Sequence, residues 1–249
     1  MKKNIEILLL FIGVSVTLTA QNENNFEEAF NELKGMLEDE RPIDYTKALF
    51  SVENAWHNDT LSYSKFEREL KDIAITCRVM IGNKGIQNYK TAGNWAIFMW
   101  MMKPVPENDN EPYSYNFEDF LGRSDYSNTF VTKLMTTQKG TCLSLPLFYK
   151  CLAKELEVEA KLTLGPSHAW IRHKDEEGKW VNVELTSGQF PSDGLMMTEL
   201  GIKTEAVKSG AYFKPLSEIE TIAFLLTILA QVYEDKTGAI QNVALSYGL

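Results

Sequence analysis

The stretch Gln138-Lys-Gly-Thr-Cys142-Leu-Ser-Leu-Pro146-Leu-Phe-Tyr-Lys-Cys151-Leu-Ala decides how the rest of the chain is interpreted. A glycine and a threonine precede Cys142, and an apolar run with helical periodicity follows it, so the thiol is predicted to lie near a helix N-terminus. The partial positive charge and free backbone N–H groups at that end of a helix favour thiolate over thiol. Because a thiolate is a nucleophile, Cys142 is a candidate for covalent catalysis.

Pro146 restricts where the helix after Cys142 can begin. A proline beyond the first turn of a helix removes a backbone hydrogen bond and clashes with the preceding turn. The regular helix is therefore predicted either to begin near Ser144 or to bend at Pro146.

Downstream, two alternating segments predict a β-hairpin that carries His168. Residues 168–172 alternate, residues 175–178 form a turn, and residues 180–184 alternate again. Side chains of a strand point alternately to opposite faces, so one face carries His168, Trp170, Trp180, Asn182 and Glu184, and the other carries Ala169, Ile171, Val181 and Val183. A histidine base would thus have Glu184 and Asn182 on its own face, and either could orient its ring.

These motifs together resemble the transglutaminase-like superfamily of papain-like folds. They are Gly-x-Cys-x-Ser-Leu-Pro around Cys142, His-Ala-Trp from His168, and Trp-Val-x-Val-acid-x-Thr through Glu184. The cysteine spacing and the downstream helices are similar to a bacterial branch with tetratricopeptide-like helices after the core, and the resemblance covers residues 110–245.

The resemblance implies a role for each residue of a triad. Cys142 would be the nucleophile, His168 the general base and acid, and Glu184 the residue that holds the imidazole. Glu184 stands where most members have Asp, and papain-like enzymes can use an amide in that role, so Asn182 is the alternative third member.

The same resemblance makes Gln138 a candidate for oxyanion binding. In papain-like sites a glutamine upstream of the cysteine helps to bind the developing oxyanion, together with the backbone N–H of the nucleophile. Gln138 lies four residues before Cys142.

Three aromatic residues are candidates for the wall of a substrate groove. Trp170 and Trp180 either cover the sheet or line a groove near His168. Tyr115 lies in the aromatic-rich segment 107–123, which is predicted to form an ordered loop that leads toward the nucleophile.

The N-terminal segment predicts export. Met1-Lys2-Lys3 and the apolar residues up to Ala20 have the organisation of a secretory signal peptide that is cleaved after Ala20. The apolar run is short for a membrane span, and no cysteine near the cleavage site offers a lipid anchor. We therefore expect a periplasmic or secreted protein that has no membrane attachment after cleavage.

The charge and the cysteines narrow the possible functions. The formal net charge of −9 argues against binding nucleic acid through its phosphates.

Cys142 and Cys151, about a dozen Å or more apart on one helix, cannot pair. Cys77 and Cys151 form a disulfide or remain buried and reduced, and both alternatives leave Cys142 free. The absence of a Cys-x-x-Cys pair disfavours a thiol redox protein.

The predicted fold class is α+β, with a papain-like or transglutaminase-like core in which the nucleophile helix packs on a small antiparallel sheet. Four segments are expected: a signal peptide at 1–20, a helical N-terminal region at 21–106, the core at 107–213, and a tetratricopeptide-like helical pair at 214–249. Predicted helices include 26–37, 45–56, a third capped by Asp59 or Ser62, a buried helix that ends at Lys103, 125–137, 219–233 and 240–249.

The predicted function is that of a cysteine-dependent amide hydrolase or acyl transferase that acts on peptide or protein amides. The triad chemistry implies no metal and no organic cofactor. A transglutaminase-like module that binds a peptide or protein without catalysis is the alternative.

Overall fold

The computed structural model describes residues 20–238, with side chains described from residue 24 onward. The predicted signal peptide and the predicted last helix, 240–249, fall outside the described residues. Among residues 20–238, no helix is both long enough and apolar enough to cross a membrane.

The described residues form nine α-helices and five strands, which confirms the mixed α+β class. The helices are α1 (Ala20–Leu37), α2 (Tyr45–Trp56), α3 (Tyr63–Lys84), α4 (Ala92–Met102), α5 (Val131–Thr137), α6 (Ser144–Glu155), α7 (Asp193–Glu199), α8 (Thr204–Lys208) and α9 (Glu218–Thr237). The strands are β1 (Ser114–Tyr115), β2 (Lys139–Gly140), β3 (Lys161–Gly165), β4 (His168–Lys174) and β5 (Trp180–Val183). Strands β1 and β2 pair in parallel, and β3, β4 and β5 form an antiparallel sheet in that order.

Side-chain caps fix the starts of several helices. The side chain of Asp44 accepts a hydrogen bond from Lys47 N at the start of α2, and Ser62 does the same for Lys65 N at the start of α3. Ser62, rather than Asp59, is thus the cap of the third helix. The predicted capping box of Ser217 and Glu220 is present at the start of α9.

The segment 125–137 differs from the single predicted helix. A short 3₁₀ turn (Tyr126–Thr129) ends at Phe130, whose backbone is extended, and α5 begins after it. Phe130 is buried in the core, and the Glu53 carboxylate accepts hydrogen bonds from the first two N–H groups of α5. These contacts with residues distant in sequence divide the predicted helix. The apolar periodicity of residues 125–137 does not predict them.

Helix α6 lies at the centre of the hydrophobic core and contacts α3, α4, α5, β3 and β4. It begins at Ser144, the first of the two predicted alternatives, so Pro146 falls in the first turn, where no helical hydrogen bond is lost. The Tyr149 hydroxyl donates to Asn94 O at 3.0 Å and ties α6 to α4. The N-terminal end of α6, next to Cys142, is therefore held in place by the surrounding core.

The C-terminal helix α9 packs against α1 and α2. The rings of Phe26 and Tyr233 meet edge to face at 5.2 Å, and Trp56 Nε1 donates to Asp235 Oδ2 at 3.1 Å. The same core that surrounds α6 includes these helices.

Cys77 on α3 and Cys151 on α6 are buried free thiols. The second of the two predicted alternatives therefore holds, and the disulfide is absent. Burial raises the pKa of the Cys77 thiol to about 12 and also raises that of Cys151.

Glu53 gives the free energy of unfolding a specific pH dependence. Burial raises the pKa of this carboxyl to about 7, against the opposing effect of the N–H groups of Val131 and Thr132. Because this pKa lies above the ordinary value of 4.5, the folded state binds the Glu53 proton more tightly than the unfolded chain does. The contribution of this proton to the free energy of unfolding is complete below about pH 4.5 and is lost as pH rises through 7.

We expect the Glu53 carboxyl to lower the free energy of unfolding by about 2 to 3 kcal/mol between about pH 5 and pH 8. Urea denaturation at both pH values measures this in the wild type and in Glu53→Gln, whose side chain does not titrate. The exposed Glu40→Gln is the matched control and keeps the wild-type dependence. A Glu53→Gln profile parallel to that of the wild type would contradict the burial effect.

Candidate active site

A reciprocal pair of hydrogen bonds shapes the turn that carries Cys142. Thr141 N donates to Ser144 Oγ at 2.9 Å, and Ser144 N donates to Thr141 Oγ1 at 3.2 Å. Thr141 O accepts from Leu145 N and so begins the helical hydrogen-bond pattern. Cys142 is thereby held, half-buried, at the entrance of α6, as its sequence context predicts.

His168, at the start of β4, forms a hydrogen bond with Glu184, which follows β5. Their Nε2 and Oε2 atoms are 2.6 Å apart, and their side chains are 16% and 10% exposed. Ile171 pairs with Val183 and Arg172 with Asn182, the register that places apolar residues opposite one another. The predicted proximity of acid and imidazole follows directly from this register.

Thr186 fixes the other carboxylate oxygen of Glu184. Its N–H and hydroxyl donate to Oε1 at 2.9 and 2.7 Å. Burial opposes ionisation, but the hydrogen bonds from His168 and Thr186 hold the pKa of Glu184 below its usual value. The acid is therefore ionised at neutral pH and keeps a fixed orientation.

Cys142 at the entrance of α6 contacts the residue that precedes His168. The Cys142 Sγ lies 3.8 Å from Ser167 O. Burial alone would lower the pKa of His168, but its interactions with Cys142 and Glu184 raise it to about 9. Glu184 occupies Nε2, so Nδ1 is the ring nitrogen that remains for an interaction with the sulfur.

Asn182, the alternative third member, makes its side-chain hydrogen bonds to groups other than the imidazole. Its Oδ1 accepts from Trp170 Nε1 at 3.0 Å, and its Nδ2 donates to Pro191 O and Asp193 Oδ1 at 3.0 and 2.7 Å. The amide is fully engaged on these groups. Asn182 shares a face with His168, as predicted, but it fixes the neighbouring tryptophan.

Of the two hairpin tryptophans, Trp170 is buried and Trp180 lies far from His168. Trp170 has no exposed surface and packs with Met196, Ile202 and Phe213 in a second apolar cluster. Its ring lies behind the imidazole, with centroids 6.2 Å apart and planes inclined at 25°. Trp180 pairs with Lys174 at the far end of the hairpin, six residues along β4 from His168 and about 20 Å away.

Gln138 is also placed differently from its predicted oxyanion role. It ends α5 in the left-handed conformation (φ 54°), and its Nε2 donates to Glu111 O at 3.2 Å. Its backbone O accepts from Ser114 N at 2.8 Å. Gln138 therefore ties the segment before β1 to α5.

Tyr115 is the predicted groove residue that lies at the site. It is half-buried, and burial together with the negative charges of Cys142 and Glu184 raises the pKa of its phenol. It pairs with Gly140, two residues before Cys142.

Two parts of the site were not predicted from the sequence. The Thr141–Ser144 cap has the spacing of a capping box, but with serine where glutamate or glutamine is usual. Thr186 stands two residues after the acid, a spacing at which a side-chain oxygen can accept from the following backbone. Both signals are visible in the sequence once the helix start and strand end are known.

Within residues 24–238, no three His, Cys, Asp or Glu side chains converge in a way that would hold a metal ion. Comparison with models of known protein families, with curated proteins and with solved structures found no match.

The raised pKa of His168 provides a test of the Glu184 contact. Glu184→Gln removes the carboxylate charge, so we expect the His168 pKa to fall from about 9 toward the ordinary value of about 6.5. NMR titration of the imidazole resonances measures this. The exposed Glu177→Gln serves as the control and leaves the pKa unchanged. A His168 pKa that stays the same in Glu184→Gln would show that the two side chains do not interact.

Proposed function

We propose that this chain is a cysteine-dependent amide hydrolase or acyl transferase of the transglutaminase-like kind, acting on peptide or protein amides. The observation that carries the proposal is the His168–Glu184 hydrogen bond of 2.6 Å beside a half-buried Cys142. A thiol, an imidazole and an ionised carboxylate in this order form the relay that nucleophilic acyl transfer requires.

The pKa of His168 favours a cationic ring at the site. At about 9, this pKa keeps the imidazole protonated at neutral pH, with Glu184 accepting its Nε2–H. A positive charge beside a cysteine favours the thiolate, which is the nucleophilic form.

In the first half of the reaction, Cys142 Sγ forms a bond to the carbonyl carbon of the amide. His168 gives its proton to the amide nitrogen as the C–N bond breaks, and an amine leaves. The product is a thioester on Cys142 and a neutral imidazole.

In the second half, His168 takes a proton from water or from an amine that attacks the thioester. The C–S bond breaks, the acid or the new amide leaves, and the thiolate–imidazolium pair is restored. Hydrolysis is the favoured outcome because water needs no second binding site.

The rate of Cys142 alkylation by iodoacetamide tests this proposal. An ordinary thiol is almost fully protonated at about pH 6 and reacts slowly there. We expect Cys142 of the wild type to react at least about tenfold faster at that pH than Cys142 of His168→Ala, and the two rates to converge at about pH 10.

His57→Ala is the matched histidine control and retains the wild-type rate, because His57 packs against Trp56 and Phe130. Equal rates in the wild type and His168→Ala at the lower pH would contradict the catalytic proposal and favour a binding module.

A further inference from the structure

The segment that follows β1 is held in a defined shape. Residues 116–125, here called the aromatic loop, are fixed by Asp119 at their centre. Its carboxylate accepts from the backbone N–H groups of Arg123, Ser124 and Asp125 and from Asn128 Nδ2, at 2.8 to 3.3 Å. Asn116 Oδ1 accepts from two further N–H groups in the loop. These hydrogen bonds hold the carboxylate of Asp119 ionised by lowering its pKa.

The aromatic loop presents apolar side chains to solvent. Phe117 is 79% exposed, and Phe120 and Leu121 are each 46% exposed. The ring of Tyr115 contacts Phe117 at 5.0 Å and Phe120 at 6.2 Å between centroids. Tyr115, Phe117 and Phe120 thus form a continuous wall, here called the aromatic wall.

The wall begins at the candidate site. Tyr115 pairs with Gly140 on β2, and its phenol is close enough to Cys142 and Glu184 for their charges to raise its pKa. Phe117 and Phe120 both contact the Tyr115 ring, so the wall adjoins the strand pair that leads to Cys142. A peptide bound at Cys142 therefore has an apolar surface beside it.

The exposure of the rings is costly unless something covers them. Exposed apolar side chains grouped in this way mark binding surfaces more often than isolated ones do. The hydrogen bonds of Asp119 stabilise the loop conformation in which the rings are exposed, and the exposed Glu118 beside Phe117 disfavours an acidic ligand. The chemistry of the wall fits an apolar, ring-bearing group.

We propose that the aromatic wall binds an apolar, preferably aromatic, side chain of the peptide that enters the Cys142–His168 site. This assignment of substrate class rests on the proposed acyl-transfer function. It makes Phe117 and Phe120 residues that determine specificity, with no part in the bond-breaking steps.

Protection of Cys142 from iodoacetamide by non-reactive peptides tests the assignment. The competitors are an Ala-Ser hexapeptide and six variants, each with one phenylalanine at a different position. The assay runs at about pH 10, where an ordinary thiol also reacts. Peptide binding is therefore measured whether or not Cys142 is activated, and failure of the assignment is distinguishable from failure of the proposed function.

We expect at least one phenylalanine position to give half-protection at a concentration about tenfold or more below that of the parent peptide. Phe117→Ala and Phe120→Ala remove this advantage. Tyr89→Ala keeps it, because Tyr89 is 58% exposed and adjoins Lys90 and Thr91, which bind Glu176 at the far end of the hairpin.

Two results would overturn the assignment. One is equal protection by all seven peptides. The other is an advantage for phenylalanine that survives in both Phe117→Ala and Phe120→Ala. Phe117 is mostly exposed, so its replacement leaves the fold intact, and circular dichroism verifies this.

Discussion

The hydrogen bond between His168 Nε2 and Glu184 Oε2 is the interaction on which the site depends. It joins the start of β4 to the end of β5, and so it exists only in the register that pairs Ile171 with Val183. A shift of one residue would move Glu184 to the opposite face and remove the acid from the ring. Thr186 then fixes the acid, and Trp170 lies behind the imidazole.

Cys142 is positioned by contacts other than those that hold His168 and Glu184. The Thr141–Ser144 cap sets the backbone of the turn, and α6 is buried along most of its length beneath it. Because well-packed protein interiors deform little, the Cys142 sulfur at the end of this buried helix has a nearly fixed position relative to the sheet. Preorganisation of this kind is what the proposed covalent catalysis requires, because such a reaction needs the sulfur and the imidazole in place before a substrate arrives.

Local patterns in the sequence predicted the parts of this arrangement that depend on local physics. Residues flanking Cys142 indicated a helix start, and the alternation from His168 to Glu184 gave the correct partition of side chains between two faces. Alternation does not say what covers a face, and for that reason the sequence left open whether Trp170 covers the sheet or lines a groove; α7 and Phe213 bury it. Asn182 was an acceptable partner for His168 by parity alone, but it bonds to Trp170 on the same face and to Asp193 after the hairpin, and parity does not choose among such neighbours.

The same limit applies to the helix predicted at 125–137 and to Gln138. Glu53 lies more than seventy residues before α5, and its carboxylate supplies the cap that divides that helix. Gln138 satisfies the backbone of a loop whose position follows from β1–β2 pairing. Contacts between segments distant in sequence determine both the division of the helix and the placement of Gln138. Local sequence patterns therefore do not predict either feature.

The most direct measurement of the central claim is the NMR titration of His168 in Cys142→Ala. If sulfur and imidazole interact as an ion pair, removing the sulfur lowers the His168 pKa from about 9, with Glu184 still in place. An unchanged His168 titration in Cys142→Ala would show that the thiol and the ring act in separate environments, and it would contradict the catalytic pair.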